Sequence, residues 1–257
     1  MSHAQRWLAT IPSLTGHKLK VAYARVALYD DSLSELTTNL NEVCQLAEQA
    51  SGVARDVLSA FVPLLIDTAH LQRVQSLRAT ALASALPAAG RLLRCSSTEG
   101  HLLDLPSSGG DAYVIKRADG RPVSLGERRA LARRPSRASL DKLMNDPHPM
   151  VVRILLANPR ITEEDVVLVA ARRPAIPEVT VEIAKAWSHH GRVRLTIVLN
   201  PGSPPAVSVP LLGLLVRSEL AETMSAADLP TTVRATARDL HELRPPLAEI
   251  EPPELKH

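Results

Sequence analysis

The densest concentration of chemistry-bearing side chains lies between residues 116 and 137. Lys116, Arg117, Arg121, Arg128, Arg129, Arg133, Arg134 and Arg137 stand against Asp119 and Glu127, eight basic groups against two acidic ones and a net +6. Cationic groups at this density can neutralise phosphates and give salt-dependent affinity. This stretch is therefore the candidate anion- or partner-binding segment. On a helix from Leu125 to Arg134, Arg129 and Arg133 are four apart and share a face, and Arg128 lies about 100° from Arg129. The competing reading is a solvated end of the molecule whose arginines pair with acidic residues elsewhere.

Other reactive residue types point to structure more than to catalysis. His189 and His190 follow Trp187. Adjacent histidines diverge on a helix, so they make a poor metal pair. Glu163-Glu164-Asp165 suits the positive end of a helix. Cys44 sits on an apolar helical face and reads as core. Two cysteines, Cys44 and Cys95, are too few for a disulfide framework or an iron–sulfur site. There is no phosphate-loop glycine pattern, no His-Glu-x-x-His and no Gly-x-Ser-x-Gly. No catalytic, cofactor or metal site is expected. One Phe, two Trp and three Tyr in 257 residues also argue against a base-stacking platform.

The elements that must position these residues read as helices. The small aromatic content leaves a core of Leu, Val, Ile and Ala, which suits closely packed short helices. Residues 1–95 form a helical N-terminal region. Leu19, Ala22, Val26 and Tyr29 mark one face of a helix over 18–29. Ser32 and Glu35 fit a capping box, followed by Leu33, Leu36, Leu40, Val43 and Ala47 at helical spacing. Val53–Ile66 is apolar on most sides and holds Pro63, so a buried, kinked or broken helix is expected. Asp67 can cap the next helix. Residues 96–124 read as a linker followed by a small β-hairpin near 113–123, with Asp119-Gly120 at its turn. The last residues, 244–257, read as a disordered tail. With no leader visible and no long apolar run, a cytoplasmic protein without membrane insertion is expected.

The remainder repeats itself. Arg133-Arg134-Pro135 returns as Arg172-Arg173-Pro174, 39 residues later. Val152-Arg153 returns as Val193-Arg194 and Val233-Arg234, at steps of 41 and 40. Asn158-Pro159 returns as Asn200-Pro201. A period near 40 is that of a helical repeat. Regularly placed prolines enforce short helices near 125–134, 136–144, 147–157, 162–172, 177–187, 190–199, 205–216 and 230–242. Gly213, inside an apolar stretch, suggests a close helix approach.

The segment from Asn145 to Pro159, with Asp146-Pro147, Val152-Arg153 and Asn158-Pro159, resembles the HEAT repeat and the bacterial leucine-rich repeat variant. The resemblance covers roughly residues 131–243. In the third copy Arg238-Asp239 stands in place of Asn-Pro. The cysteine cluster that holds iron–sulfur in some leucine-rich repeat variant proteins is absent here. The resemblance implies a mainly α, helical-repeat solenoid and a binding scaffold. Asp146 can cap a helix. Arg153, Arg194 and Arg234 are expected to be structural ladder residues that reach carbonyls or carboxylates of the adjacent repeat.

The leading expectation is a non-enzymatic scaffold for an unknown protein partner, since stacked repeats present extended concave surfaces. The alternative is nucleic-acid backbone binding through residues 116–137. HEAT-like proteins include DNA alkylation-repair glycosylases, a fold-level analogy only. An enzyme whose site assembles from distant residues is a third possibility.

Overall fold

The structure is a computed structural model that describes residues 3–95, 115–116 and 120–246. The described residues form fifteen α-helices and one 3-10 turn, with no strand; the chain is mainly α-helical. The N-terminal region holds α1 (His3–Ser13), α2 (His17–Asp30), α3 (Leu33–Glu48), α4 (Gly52–Leu65), the turn Thr68–His70, α5 (Leu71–Ala83) and α6 (Pro87–Leu92). The second region holds α7 (Leu125–Arg133), α8 (Arg137–Leu143), α9 (Pro149–Leu156), α10 (Glu163–Ala170), α11 (Pro177–Trp187), α12 (Gly191–Val198), α13 (Pro205–Leu212), α14 (Arg217–Ser225) and α15 (Thr231–Leu243).

Local chemistry explains most of these boundaries. Ser32 and Ser51 accept from the amides of Glu35 and Ala54 and so cap α3 and α4. Ser124 with Glu127 opens α7, and Thr162 with Asp165 opens α10, each as a reciprocal capping box. Asp67 caps the 3-10 turn ahead of α5. α4 is a single unbroken helix. Pro63 lies in its last turn, where the amide it lacks interrupts little of the ladder.

α4 is the hub of the molecule. Every residue from Val57 to Leu65 is buried. It packs against α1, α2 and α3 on one side and against α11 and α13 on the other. Trp7 stacks at 4.9 Å on Phe61 inside this core. A second tie between the regions comes from Arg94, which donates to Thr236 and, at 2.8 Å, to Asp239 of α15.

The expected ladder exists, but asparagines build it. Asn158 Nδ2 donates to the carbonyls of Ala132 and Arg134 at 2.8 and 3.0 Å. Asn200 Nδ2 donates to those of Ala170 and Arg172 at 2.9 and 2.8 Å. Each side-chain oxygen accepts the amide two residues on, from Arg160 or Gly202. The recurring Arg-Arg-Pro and Asn-Pro pieces are therefore two halves of one stitch. Proline ends a helix and leaves its last carbonyls open. The asparagine that follows two helices later closes them. Gly202 is required at the second stitch, because a Cβ there would lie 3.0 Å from Ala175.

Several expectations change. α14 was not anticipated, and the apolar run 205–216 ends as a helix at Leu212. Gly213 lies at that end, where an added Cβ would touch Leu58 of α4. Asp146 does not cap α9; His148 does, accepting from the amide of Met150. Of the expected hairpin, the described residues show one antiparallel bridge, Lys116 to Pro122. Residues 113–114 and 117–119 of the expected hairpin, and most of the linker, lie outside the described residues, as do residues 247–257 of the expected tail. Arg244, placed in that tail, is buried and donates to the carbonyl of Gly213 at 2.9 Å.

Candidate functional site

The basic segment is partly absorbed by the fold. Arg128 grips the fully buried Asp146 at 2.6 and 2.7 Å. Arg137 forms a two-pronged bridge to Asp165, both contacts 2.6 Å, and reaches Asp141 at 2.7 Å. Arg121 pairs with Glu127. The Nε of Arg129 is buried without a partner. Lys116, Arg133 and Arg134 stay exposed, and Arg117 lies outside the described residues. The partners Asp146 and Asp165 come from 18 and 28 residues away, so the local count of two acids overstated the free charge. Arg137 holds the Asp165 carboxyl down to about 2, helped by the Thr162 amide and hydroxyl.

The repeat arginines are not equivalent. α9, α12 and α15 follow the caps His148, His190 and Pro230. Counted from these, Arg194 and Arg234 stand at the fourth helical position and Arg153 at the fifth. The valine before each arginine, Val152, Val193 and Val233, is buried in all three helices, yet Arg153 points outward, 60% exposed and 4.0 Å from Glu182. Arg194 and Arg234 turn inward and donate to the backbone just before their own helices, to Ser188 and His189 and to Leu229. Arg153 thus reaches a carboxylate of the next unit, Glu182 of α11, whereas Arg194 and Arg234 bond within their own units.

A large concavity lies where the sequence named no site. It is an open cleft of about 1050 Å³ between α2 and the segments that end α9 and α11. Its charged lining residues are Lys18, Arg25, Arg153 and Lys185, all basic. Lys185 is engaged by Asp67 at 3.0 Å. Leu19, Val21, Ile161 and Trp187 supply apolar walls. The Trp187 indole is fixed by donation to the Leu156 carbonyl.

The face of α2 beside this cleft reverses the sequence expectation. Leu19, Val26 and Tyr29 are 51%, 58% and 52% exposed, and Ala22 is exposed as well. The helix buries Ala24, Ala27 and Leu28. An apolar stripe at helical spacing thus lies open to solvent and runs into the cleft through Leu19 and Ala22.

Three imidazoles cross the same seam. His17 stacks on His189 at 4.0 Å, and His190 packs on Trp187 at 4.7 Å. Burial, with Lys20 next, pulls His17 down to about 4. Burial, reinforced by His17 and His190, pulls His189 down to about 3. Both rings are neutral near pH 7. Among the described residues no three His, Cys, Asp or Glu side chains are placed to hold a metal. Burial raises the Cys44 thiol, which leaves it a core group and a poor nucleophile.

Comparisons with protein-family models, curated proteins and solved structures find no match to this chain. The functional reading therefore rests on the cleft, the α2 stripe and the stitched units. Among the described residues no helix is long and apolar enough to cross a membrane.

Proposed function

We propose that this chain is a non-enzymatic scaffold built on HEAT-like, leucine-rich-repeat-variant-like units, and that it binds an acidic amphipathic segment of a protein partner. The observation that carries this reading is the exposed stripe Leu19–Ala22–Val26–Tyr29 opening into a cleft whose charged lining is wholly basic. Apolar side chains at i, i+3 and i+7 offer an antiparallel or parallel helix a seam. Lys18 and Arg25 border that seam without an ion-pair partner among the described residues, and complementary charge on the partner would set its register and speed its arrival. The recurrence of the stitched units over residues 131–243 supports a solenoid-like scaffold behind the cleft, and a cytoplasmic setting fits the reduced cysteines.

Fluorescence polarisation with a designed Leu/Glu amphipathic helical peptide tests this directly. Saturable binding is expected, at least tenfold weaker for Leu19→Asp or Val26→Asp at unchanged melting temperature. Equal binding of a Leu/Lys peptide, or no loss in either variant, would defeat the proposal. Nucleic-acid backbone binding through residues 116–137 is the second reading, favoured by the exposure of Lys116, Arg133 and Arg134. A gel shift at low salt that disappears in Arg133→Glu/Arg134→Glu would support it.

A further inference from the structure

A smaller cavity of about 310 Å³ lies on the other side of His189, between the start of α4 and α12. Gly52, Arg55, Asp56, Ser59, His189 and Arg194 supply its polar and helix-end lining. Asp56 is engaged by Lys20 at 2.6 Å, and the Ser59 hydroxyl donates to the Asp56 carbonyl. Arg55 and Arg194 each keep a buried Nε–H with no acceptor, and the Nδ1 of His189 is also buried and unpartnered. Arg244, only 2% exposed and outside the cavity lining, also has an unpartnered Nε, while its Nη2 donates to the Gly213 carbonyl at 2.9 Å.

Each of these guanidinium groups leaves its Nε donor unmet and has no carboxylate partner among the described residues, although Arg194 donates to the Ser188 and His189 carbonyls and Arg244 to that of Gly213. Burial, followed by the charge of Arg55, lowers Arg244 to about 10. Burial also lowers Arg194, with Glu219 opposing and Arg55 adding to the effect. The nearby acids are already used: Glu48 holds Arg91 through two contacts of 2.8 and 2.6 Å, and Glu219 accepts the amide of Val216. Buried cations without acceptors are costly. Arg128, by contrast, is held by the buried carboxylate of Asp146. Gly52 opens the 14-residue helix α4, whose positive end faces the same region of charge.

We propose that Arg55 and Arg194 form the binding site of a small phosphate-bearing anion, held at the seam between the N-terminal and repeat regions. A guanidinium fork matches phosphate geometry, and a doubly charged oxyanion offers acceptors to several orphan donors at once. The volume stands at the lower edge of the roughly 300–1,000 Å³ range of small-ligand sites, which suits inorganic phosphate or a small phosphate monoester. Because the anion would bridge α4 to α12, its binding would brace the two regions. The site does not depend on the acidic-segment reading of the neighbouring cleft.

The test uses the full chain, with inorganic phosphate and glycerol 3-phosphate as probes against chloride at equal ionic strength. Phosphorus NMR titration should show saturable binding, and the melting temperature should rise with either probe. Arg55→Gln and Arg194→Gln should weaken binding at least tenfold. Without phosphate they should melt no lower than the native chain, since each removes one of three repelling charges. Arg133→Gln, an exposed position, should bind as the native chain does. Tighter binding of glycerol 3-phosphate assigns the site to monoesters, and equal binding assigns it to free phosphate. Absence of binding by the native chain, or undiminished binding in both glutamine variants, overturns the proposal. Leu19→Asp serves as a separate arm: it should leave phosphate binding intact whether or not the cleft binds an acidic segment.

Discussion

The first stitched unit, α7 to α9, and the second, α10 to α12, share a plan and differ in what their interiors contain. Both open with a reciprocal capping box and both close with an asparagine on the preceding carbonyls. In the first unit, Asp146 stands two residues before the cap of α9, fully buried and gripped by Arg128. The equivalent residue before α12 is Ser188, fully buried with an unpartnered hydroxyl. Arg153 points to solvent, whereas Arg194 turns inward with an unsatisfied Nε. The first unit is tied to the second through Arg137 and Asp165. The second faces α4 and α2 across a seam, and its orphan donors gather there. Shared backbone chemistry keeps the repeat, and incomplete pairing marks where it meets something else.

The comparison breaks most severely at the buried ion pair. Asp146→Ala should cost roughly 3–5 kcal/mol in urea unfolding, because Arg128 would keep its charge without a partner. Ser188→Ala, the equivalent change in the second unit, should shift stability by less than about 0.5 kcal/mol, since no hydrogen bond is lost. Similar losses at both positions would erase the asymmetry between the units.

The stitches should behave alike. Asn158→Ala and Asn200→Ala each strand two backbone carbonyls and one amide, at about 1–3 kcal/mol per unsatisfied buried group less whatever water recovers. A loss of about 2–4 kcal/mol is expected for each, with agreement within about 1 kcal/mol. Chemical denaturation of the two variants side by side checks this.

Acid should affect the two sides of the molecule in different ranges. His17 and His189 are held below their ordinary 6.5, so the unfolded chain takes up protons that the folded chain refuses. Stability should therefore fall as pH drops from about 6.5 towards 4. Asp165 is held from 3.8 to about 2 by Arg137, so its contribution is intact above pH 4 and fades below it. His189→Gln should flatten the first slope, and Asp165→Asn only the second, in melting temperatures taken from pH 7 to pH 3.

The smallest effect belongs to Arg153→Ala. An exposed ion pair at 4.0 Å contributes little, so a change within about 0.5 kcal/mol is expected. A large loss would restore Arg153 to the structural role that its recurrence in the sequence suggested.

Sequence alone determined the helical class, most helix starts and the places where the two units recur. These depend on short-range chemistry: prolines 135, 159, 174 and 201 stop helices, and Ser32, Ser51, Ser124 and Thr162 satisfy amides two or three residues on. Such bonds close within a turn, so their spacing is written in the chain. The ladder residues Asn158 and Asn200 also recur beside proline in the sequence. Tertiary structure decided the rest. It brought Asp146 and Asp165 to Arg128 and Arg137, left Arg153 exposed while Arg194 bonds to its own backbone, and left the apolar face of α2 uncovered. It also placed Arg55 and Arg194 on one cavity across 139 residues of sequence. Whether a charge is neutralised or an apolar face is wetted depends on which distant surface packs beside it, and desolvation has no period that a sequence could display.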